Sequence, residues 1–303
     1  MSAPGCEGVE LDGLAGPVVV ACSGGADSLA LLILAADAGL TPVAVHVDHG
    51  LREESAAEAD VVRDAATRLG VQARCVKVDV PPGGNLEARA RDARYAALED
   101  AREQLAATAV LVAHTADDQA ETVLLNLLRG SGASGLAGMP VRRGHIVRPL
   151  LGVRRADVHA LVAECGLEPV IDPSNDDPVH RRNWVRLDAL PALCEGARRD
   201  LVPVLNRQAA VLRAEADLLD GLADALLAEA GGDEPAVRTL AGAHPALARR
   251  AVRRWLGAPP PSLAEVERVL AVARCERRAT ELSGGRRVWR EAGTLHQAVP
   301  CRP

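Results

Sequence analysis

The chain has 303 residues, a formal net charge of −6 and 48% apolar residues, enough for a full core and a length that predicts about two domains. Its acidic balance argues against a general nucleic-acid binder, and no apolar run approaches the length of a membrane span. Seven cysteines (6, 22, 75, 165, 194, 275 and 301) stand without a CxxC pair or metal-ligand spacing, which excludes a disulfide framework and suits a reducing compartment. The N-terminal MSAPGCEGVELDG carries neither a basic segment nor an apolar signal region, so cytoplasmic residence is the expectation.

Residues 17–130 alternate short apolar runs with amphipathic stretches. The pattern predicts strands at Val18–Cys22, Pro42–Val47, Gln72–Val78 and Ala109–His114, and helices at Asp27–Ala38, Glu54–Leu69, Leu86–Leu105 and Asp117–Leu128. Such βαβα order with near-continuous apolar strands predicts an α/β domain, a Rossmann-like parallel sheet with helices on both faces. In such sheets ligands bind beyond the carboxyl ends of the strands. The runs after Cys22, His46 and His114 therefore converge on one crevice.

The first of those runs is SGGADS, Ser23 to Ser28. Gly24 and Gly25 let the backbone approach an anion closely, Ser23 and Ser28 offer hydroxyls, and the next helix aims its free N–H groups at the same point. Asp27 adds a carboxylate where a divalent metal on a phosphate would sit. A P-loop of the commoner type ends in a lysine, and Lys77 is the sole lysine of the chain, so γ-phosphate transfer is not expected.

Further along come the Gly/Ser-rich loop GSGASGLAG, a hairpin around Arg143–His145, a helix over Arg154–Cys165, the turn-rich stretch Asp172–Asp177 and the run RRNWVR. The loop's length and place beside the crevice favour a lid or substrate contact. A long amphipathic helix from about Arg198 to Glu229 reads as a spacer ended by Gly-Gly-Asp-Glu-Pro. Two helices (His244–Leu256, Ser262–Ala273) and short β segments follow. The expected organisation is a catalytic domain over 1–197, a linker helix over 198–230 and a small, mainly helical α+β domain over 231–303.

Charge divides unevenly along the chain. Residues 1–130 hold ten basic and twenty acidic side chains, whereas 244–290 hold eleven arginines against four glutamates. The arginine excess, with Arg249, Arg250, Arg253 and Arg254 at its head, reads as an RNA-backbone patch or as a solvated helical face.

SGGADS resembles the pyrophosphate loop of the N-type ATP pyrophosphatases. Taken with HVDHGLR (46–52), NLEARARDARY (85–95), HTADDQAET (114–122), the RGSG that follows and RRNWVR (181–186), the chain resembles the tRNA(Ile)-lysidine synthase family across roughly residues 17–190. The C-terminal hundred residues resemble that family's RNA-binding region loosely, and the additional C-terminal domain of longer members is not expected here. The resemblance implies use of ATP and Mg²⁺ to adenylate the wobble cytidine of a CAU-anticodon isoleucine tRNA, which L-lysine then attacks. Members of that family are often homodimers, while the residues of this chain leave its oligomeric state open.

By the same resemblance Ser23, Gly24, Gly25 and Ser28 hold pyrophosphate, Asp27 contacts metal and phosphate, and His46 and Asp48 stand beside the nucleotide. Asp118 and Glu121, three apart on one helical face, can both reach one ammonium and bind lysine. His114 stands at a strand end in the catalytic set. Arg94, Arg182 and Arg186 are candidates for charge on the α-phosphate or leaving group, and Arg129 for tRNA. Two other readings compete: a 2-thiocytidine synthase type of enzyme on the same scaffold, for which clustered cysteines are wanting, and a non-catalytic ATP-gated RNA-binding module.

Overall fold

A computed structural model describes residues 8–50, 55–80, 83–84, 86–171 and 181–298. Leu51–Arg52, Asn85 and the Asp172–Asp177 stretch lie outside the described residues. The chain divides into two compact units, Met1–Val211 and Leu212–Pro303.

The first unit is built on a six-stranded sheet. Strands β1 (Pro17–Ala21), β2 (Thr41–Asp48), β3 (Gln72–Lys77), β4 (Val110–Leu111), β5 (Arg142–Arg143) and β6 (Ile146–Val147) lie in the order β3-β2-β1-β4-β6-β5, all parallel except the β5 edge. The chain builds outward from β1 to β3, then returns to lay β4 on the other side of β1. That reversal opens a crevice at the carboxyl ends of β1 and β4.

Alternation along β1 explains the two cores. Val18 and Val20 face one side, packed with α1 (Ala26–Asp37), α2 (Ser55–Leu69) and α6 (Arg155–Glu164); Val19 faces the other, against α3 (Leu86–Gln104). Helix α1 is buried without interruption from Ser28 to Ala35, which accounts for an apolar run too continuous to read as amphipathic. Helices α4 (Ala116–Leu128) and α5 (Ala133–Leu136) follow β4.

Strand β4 is shorter than its apolar run predicts. Val112 N–H still reaches the Val147 carbonyl, but His114 N–H turns back to the Val112 carbonyl at 3.0 Å. The chain thus leaves the sheet early, and His114 sits on the turn into α4. RRNWVR forms a helix, α7 (Arg181–Trp184), running into a π-helical turn at Val185–Ala189 and then α8 (Leu190–Ala197). Arg198, at φ +50°, stops α8, and the Asp200 carboxylate accepts from Val202 N–H at 3.0 Å where α9 (Val202–Ala230) begins.

The second unit packs the later turns of α9 with α10 (Val237–Gly242), α11 (Pro245–Leu256), α12 (Leu263–Ala273) and an antiparallel sheet of β7 (Ala279–Glu281), β8 (Arg287–Glu291) and β9 (Thr294–Ala298). Among the described residues no helix is long and apolar enough to cross a membrane. Glu265 locks the start of α12: it accepts from Ser262 N–H and hydroxyl at 2.8 and 2.7 Å and from Ser283 N–H at 2.8 Å. The Ser283 N–H and the Ser262 donors hold its carboxyl down at about 2.

Glu265→Ala leaves those donors without an acceptor and should lower the stability of this unit by about 1–2 kcal/mol, read by thermal melting, with Glu265→Gln losing less. The sign with pH follows from the depressed carboxyl. The carboxylate's contribution is complete above the ordinary glutamate range and is lost as pH falls toward about 2.

Candidate active site

The phosphate turn begins where β1 ends. Gly24 has φ +83°, and a Cβ there would lie 3.0 Å from Val170 Cγ2 and 3.4 Å from the Glu58 carbonyl oxygen, so the position demands glycine. Gly25 is the N-cap of α1 in extended conformation, and a Cβ on it would meet only Ser23 Oγ, at 3.5 Å. The two serines knit the turn: Ser28 Oγ donates to the Gly25 carbonyl at 2.8 Å and accepts from Ser23 N–H at 3.2 Å. The first N–H groups of α1 face the crevice without intrahelical partners, as at any helix start.

A cavity of about 460 Å³ lies over this turn, lined from β1, β2, α3 and the β4 turn by Ser23, Asp27, Ser28, His46, Arg94, His114 and Asp118 among others. Three runs far apart in sequence thus meet at one place. His46 is buried, with Nδ1 3.1 Å from the Cys22 carbonyl and Nε2 unpartnered. Asp48 does not line the cavity; its carboxylate accepts from Gly50 N–H at 2.7 Å and shapes the turn after β2.

Burial pushes His114 down to about 3 against the pull of Asp118, with Arg148, Arg182 and Arg91 adding to the fall. It is neutral at physiological pH, and its Nδ1 has no partner. Arg94 lies over the Tyr95 ring, 5.6 Å from its centroid, and burial lowers its pKa with no carboxylate opposing. A half-buried guanidinium with no carboxylate partner among the described residues is a ready anion site.

Asp118 and Glu121 are both buried, Glu121 to 1% exposure. Asp118 is also the N3 residue of a capping box: its Oδ2 accepts from Thr115 N–H and hydroxyl at 2.8 and 2.9 Å. Three arginines close over the pair. Arg182 reaches Asp118 Oδ1 at 2.9 Å and Glu121 Oε2 at 2.8 Å; Arg186 reaches Glu121 Oε1 at 2.9 Å; Arg155 reaches Asp118 at 2.9 Å and Glu121 at 3.3 Å. Burial pushes the Asp118 carboxyl up, but Arg155, Arg182 and the Thr115 N–H outweigh it and hold it below the usual range.

Asp27 stands on the phosphate side of the same cluster. Arg155 Nε lies 3.6 Å from its Oδ2, and His159 Nε2 3.2 Å from its Oδ1. Burial raises its carboxyl against the pull of Arg155 and His159. Oδ1 is buried without a hydrogen bond of good geometry, an oxygen suited to a divalent cation. No group of three or more His, Cys, Asp or Glu that could hold a metal occurs among the described residues. A single buried carboxylate oxygen is a donor of the kind Mg²⁺ accepts, since that ion takes few protein ligands and fills its shell with phosphate oxygens and water.

Arg155 and His159 escape a sequence reading. Both sit on α6 as ordinary surface types, and their carboxylate partners lie 34 or more residues upstream. Arg182 and Arg186, candidates for phosphate, are held here by Asp118 and Glu121. The Gly-rich loop is pinned to α4: Gln119 bonds both Met139 N–H and carbonyl, at 2.8 and 2.9 Å, and Asn126 reaches the Gly135 carbonyl at 2.7 Å. Arg129, at the end of α4, is exposed.

In the second unit the arginines of α11 meet acids of α9 and α12. Arg250 pairs with Asp220 at 2.6 Å, Arg254 with Asp224, and Arg249 with Glu267. Arg253 is exposed.

Residues 13–193 match the family described as a PP-loop domain, and the chain resembles the U34-tRNA thiolase NcsA from Methanococcus maripaludis in fold, at a TM-score of 0.57 and 18% identity over 68% of this chain and 75% of that one. The fold and turn therefore define an ATP-using PP-loop enzyme. A tRNA(Ile)-lysidine synthase of Salinispora arenicola is 43% identical over 95% of this chain and 92% of its own length, and that of Thermobifida fusca 46% over 78% and 75%. The chain belongs to the tRNA(Ile)-lysidine synthase family, and is an ATP-dependent ligase of tRNA modification.

The two glycines of the turn make separable predictions. Gly24→Ala should destabilise the first unit by about 1–2 kcal/mol through its left-handed backbone. Gly25→Ala should melt close to the unsubstituted protein yet bind ATP more weakly, because its Cβ stands where the phosphates approach the N-terminus of α1. Equal ATP affinity in a well-folded Gly25→Ala protein, by calorimetric titration, would remove the turn from phosphate binding.

Proposed function

We propose that the chain joins free L-lysine to C2 of the wobble cytidine of the CAU-anticodon isoleucine tRNA in two steps. The C2 oxygen attacks the α-phosphorus of ATP and pyrophosphate leaves. The lysine ε-amine then attacks C2, the C2–O bond breaks, AMP leaves and the ammonium proton is shed. The observation that carries this reading is the buried Asp118/Glu121 pair, which has cationic side-chain partners and whose Asp118 lines the same cavity as the phosphate turn.

A cationic nucleophile and an anionic leaving group call for opposite charges a few ångströms apart, and the cluster holds both. The ε-ammonium takes over contacts that Arg182 and Arg186 make in the ligand-free chain, and the released guanidinium groups meet phosphate oxygens. Arg182 helps to depress both Asp118 and His114, and an ammonium in its place keeps Asp118 ionised to receive it.

Arg94, which faces the cavity without a carboxylate, supports the reading that it contacts the α-phosphate. Ser23, Gly24, Gly25 and Ser28 hold pyrophosphate, and His46 offers its free Nε2 to the nucleotide. Mg²⁺ supplies charge neutralisation on the phosphates when bound, with Asp27 as its protein ligand. Arg129 and the exposed α11 arginines Arg249 and Arg253 are offered to the tRNA backbone, whereas Arg250 and Arg254 serve first to tie α11 to α9.

The test is incubation with ATP, Mg²⁺, labelled lysine and an unmodified CAU-anticodon isoleucine tRNA transcript, with methionine tRNA as control; label is expected in the first tRNA alone. Asp118→Asn with Glu121→Gln, which leaves one acceptor oxygen at position 118 for the α4 cap, should retain ATP and tRNA binding and lose lysine incorporation by on the order of 100-fold or more. Undiminished incorporation would remove these carboxylates from the lysine site. ATP and tRNA binding with no label in either tRNA would instead support a non-catalytic, ATP-gated module. Arg94→Gln should slow AMP formation while leaving the KM for lysine unchanged.

A further inference from the structure

Three carboxylates from two helices meet at one guanidinium. Each nitrogen of Arg155 faces a different acid: Nε lies 3.6 Å from Asp27 on α1, Nη2 2.9 Å from Asp118 and Nη1 3.3 Å from Glu121, both on α4. Asp27 belongs to the phosphate side of the cavity and Asp118/Glu121 to the side read above as receiving lysine. Arg155 is the side chain that touches both.

Its root is fixed. Arg155 opens α6, and its backbone N–H donates to Asp117 Oδ2 at 2.7 Å, while Arg154 pairs with the same carboxylate at 3.0 Å. Ala116 N–H binds the Val153 carbonyl at 2.8 Å, tying the start of α4 to the residues before α6. Val158, Leu161 and Val162 then bury α6 in the core it shares with α1. Helices α1, α4 and α6 are thus joined around this one side chain. Arg155 is also the least exposed of the three arginines, at 18% against 39% for Arg182 and 29% for Arg186. Those two lie on α7 and the π-turn, and π-turns interrupt helices at functional sites more often than elsewhere.

We propose that Arg155 is a positioning residue of the reaction: a guanidinium that stays in place while Arg182 and Arg186 exchange, and that sets the lysine-binding pair in register with Asp27 and the phosphates. The proposal rests on the lysine reading of Asp118 and Glu121. Neutralisation alone would be served by any cation; contact with three acids at once needs the planar fork that arginine has and lysine lacks.

The test uses the full chain carrying Arg155→Lys and Arg155→Gln, assayed for lysine incorporation with lysine and ATP varied in turn, beside melting curves. Arg155→Lys is expected to melt near the unsubstituted protein, yet to raise the KM for lysine on the order of tenfold and that for ATP several-fold. A residue that acts through Asp27 and the Asp118/Glu121 pair would then alter the use of both substrates, which a purely structural role would not do in a protein of unchanged stability. Wild-type KM values for both substrates in Arg155→Lys would overturn the proposal, as would an Arg155→Gln protein with a lowered melting temperature and unaltered KM values. Should Arg155→Gln not fold, Arg155→Lys alone decides. Failure of the lysine reading is distinguishable: Asp118→Asn with Glu121→Gln would then leave the KM for lysine unchanged, whatever Arg155 does.

Discussion

The compensation of Asp27, Asp118 and Glu121 by Arg155, Arg182 and Arg186 is the constraint around which the first unit is arranged. A carboxylate as buried as Glu121 cannot remain ionised without cations and hydrogen bonds around it. Each guanidinium arrives on an element that must then hold a fixed place: α6 for Arg155, α7 for Arg182, the π-turn for Arg186. Buried ion pairs add little net stability compared with apolar packing, but leaving one partner alone is costly. The cluster therefore selects one arrangement of α1, α4, α6 and α7, and the apolar cores on either side of the sheet supply the stability.

The sheet provides the second half of this arrangement. Because β4 returns to the far side of β1, the N-termini of α1 and α4 both open beyond the strand ends, one beside Gly25 and the other capped by Thr115. The two helix starts have different chemical surroundings. At α1 the serines bond to each other and to backbone, leaving free N–H groups for an anion. At α4 the capping box satisfies the first donors with Asp118, and its remaining oxygen is left for cations. One helix start thus keeps free donors and the other presents a carboxylate oxygen, the same local motif with different caps.

Much of this was legible in the residues. Period-2 and continuous apolar runs located the strands, the SGGADS turn marked the switch point, and the i, i+3 spacing of Asp118 and Glu121 put them on one face. The remainder failed for identifiable reasons. The apolar run at 109–114 reads as one strand, whereas the backbone turns back at His114 after two paired residues. Nothing near Arg155 or His159 in sequence announces their partners, since those partners come from other helices. Linear charge counting over 244–290 missed Asp220 and Asp224, which precede that window and meet Arg250 and Arg254 across the helix pair. A charge excess along a sequence becomes a surface potential only after such pairs are formed.

The ligand-free cluster also bears on the order of events. With three guanidinium groups on two carboxylates, the charge of the pair is more than offset, and Asp118 and His114 both hold protons weakly. Anionic phosphates arriving at the turn offer Arg182 and Arg186 a second set of acceptors at comparable strength. Each guanidinium that moves toward phosphate unmasks a carboxylate oxygen, and the departure of Arg182 removes a charge that depresses both Asp118 and His114. On the proposed reading the carboxylates are most open to an ammonium once the nucleotide side is filled, so nucleotide precedes lysine.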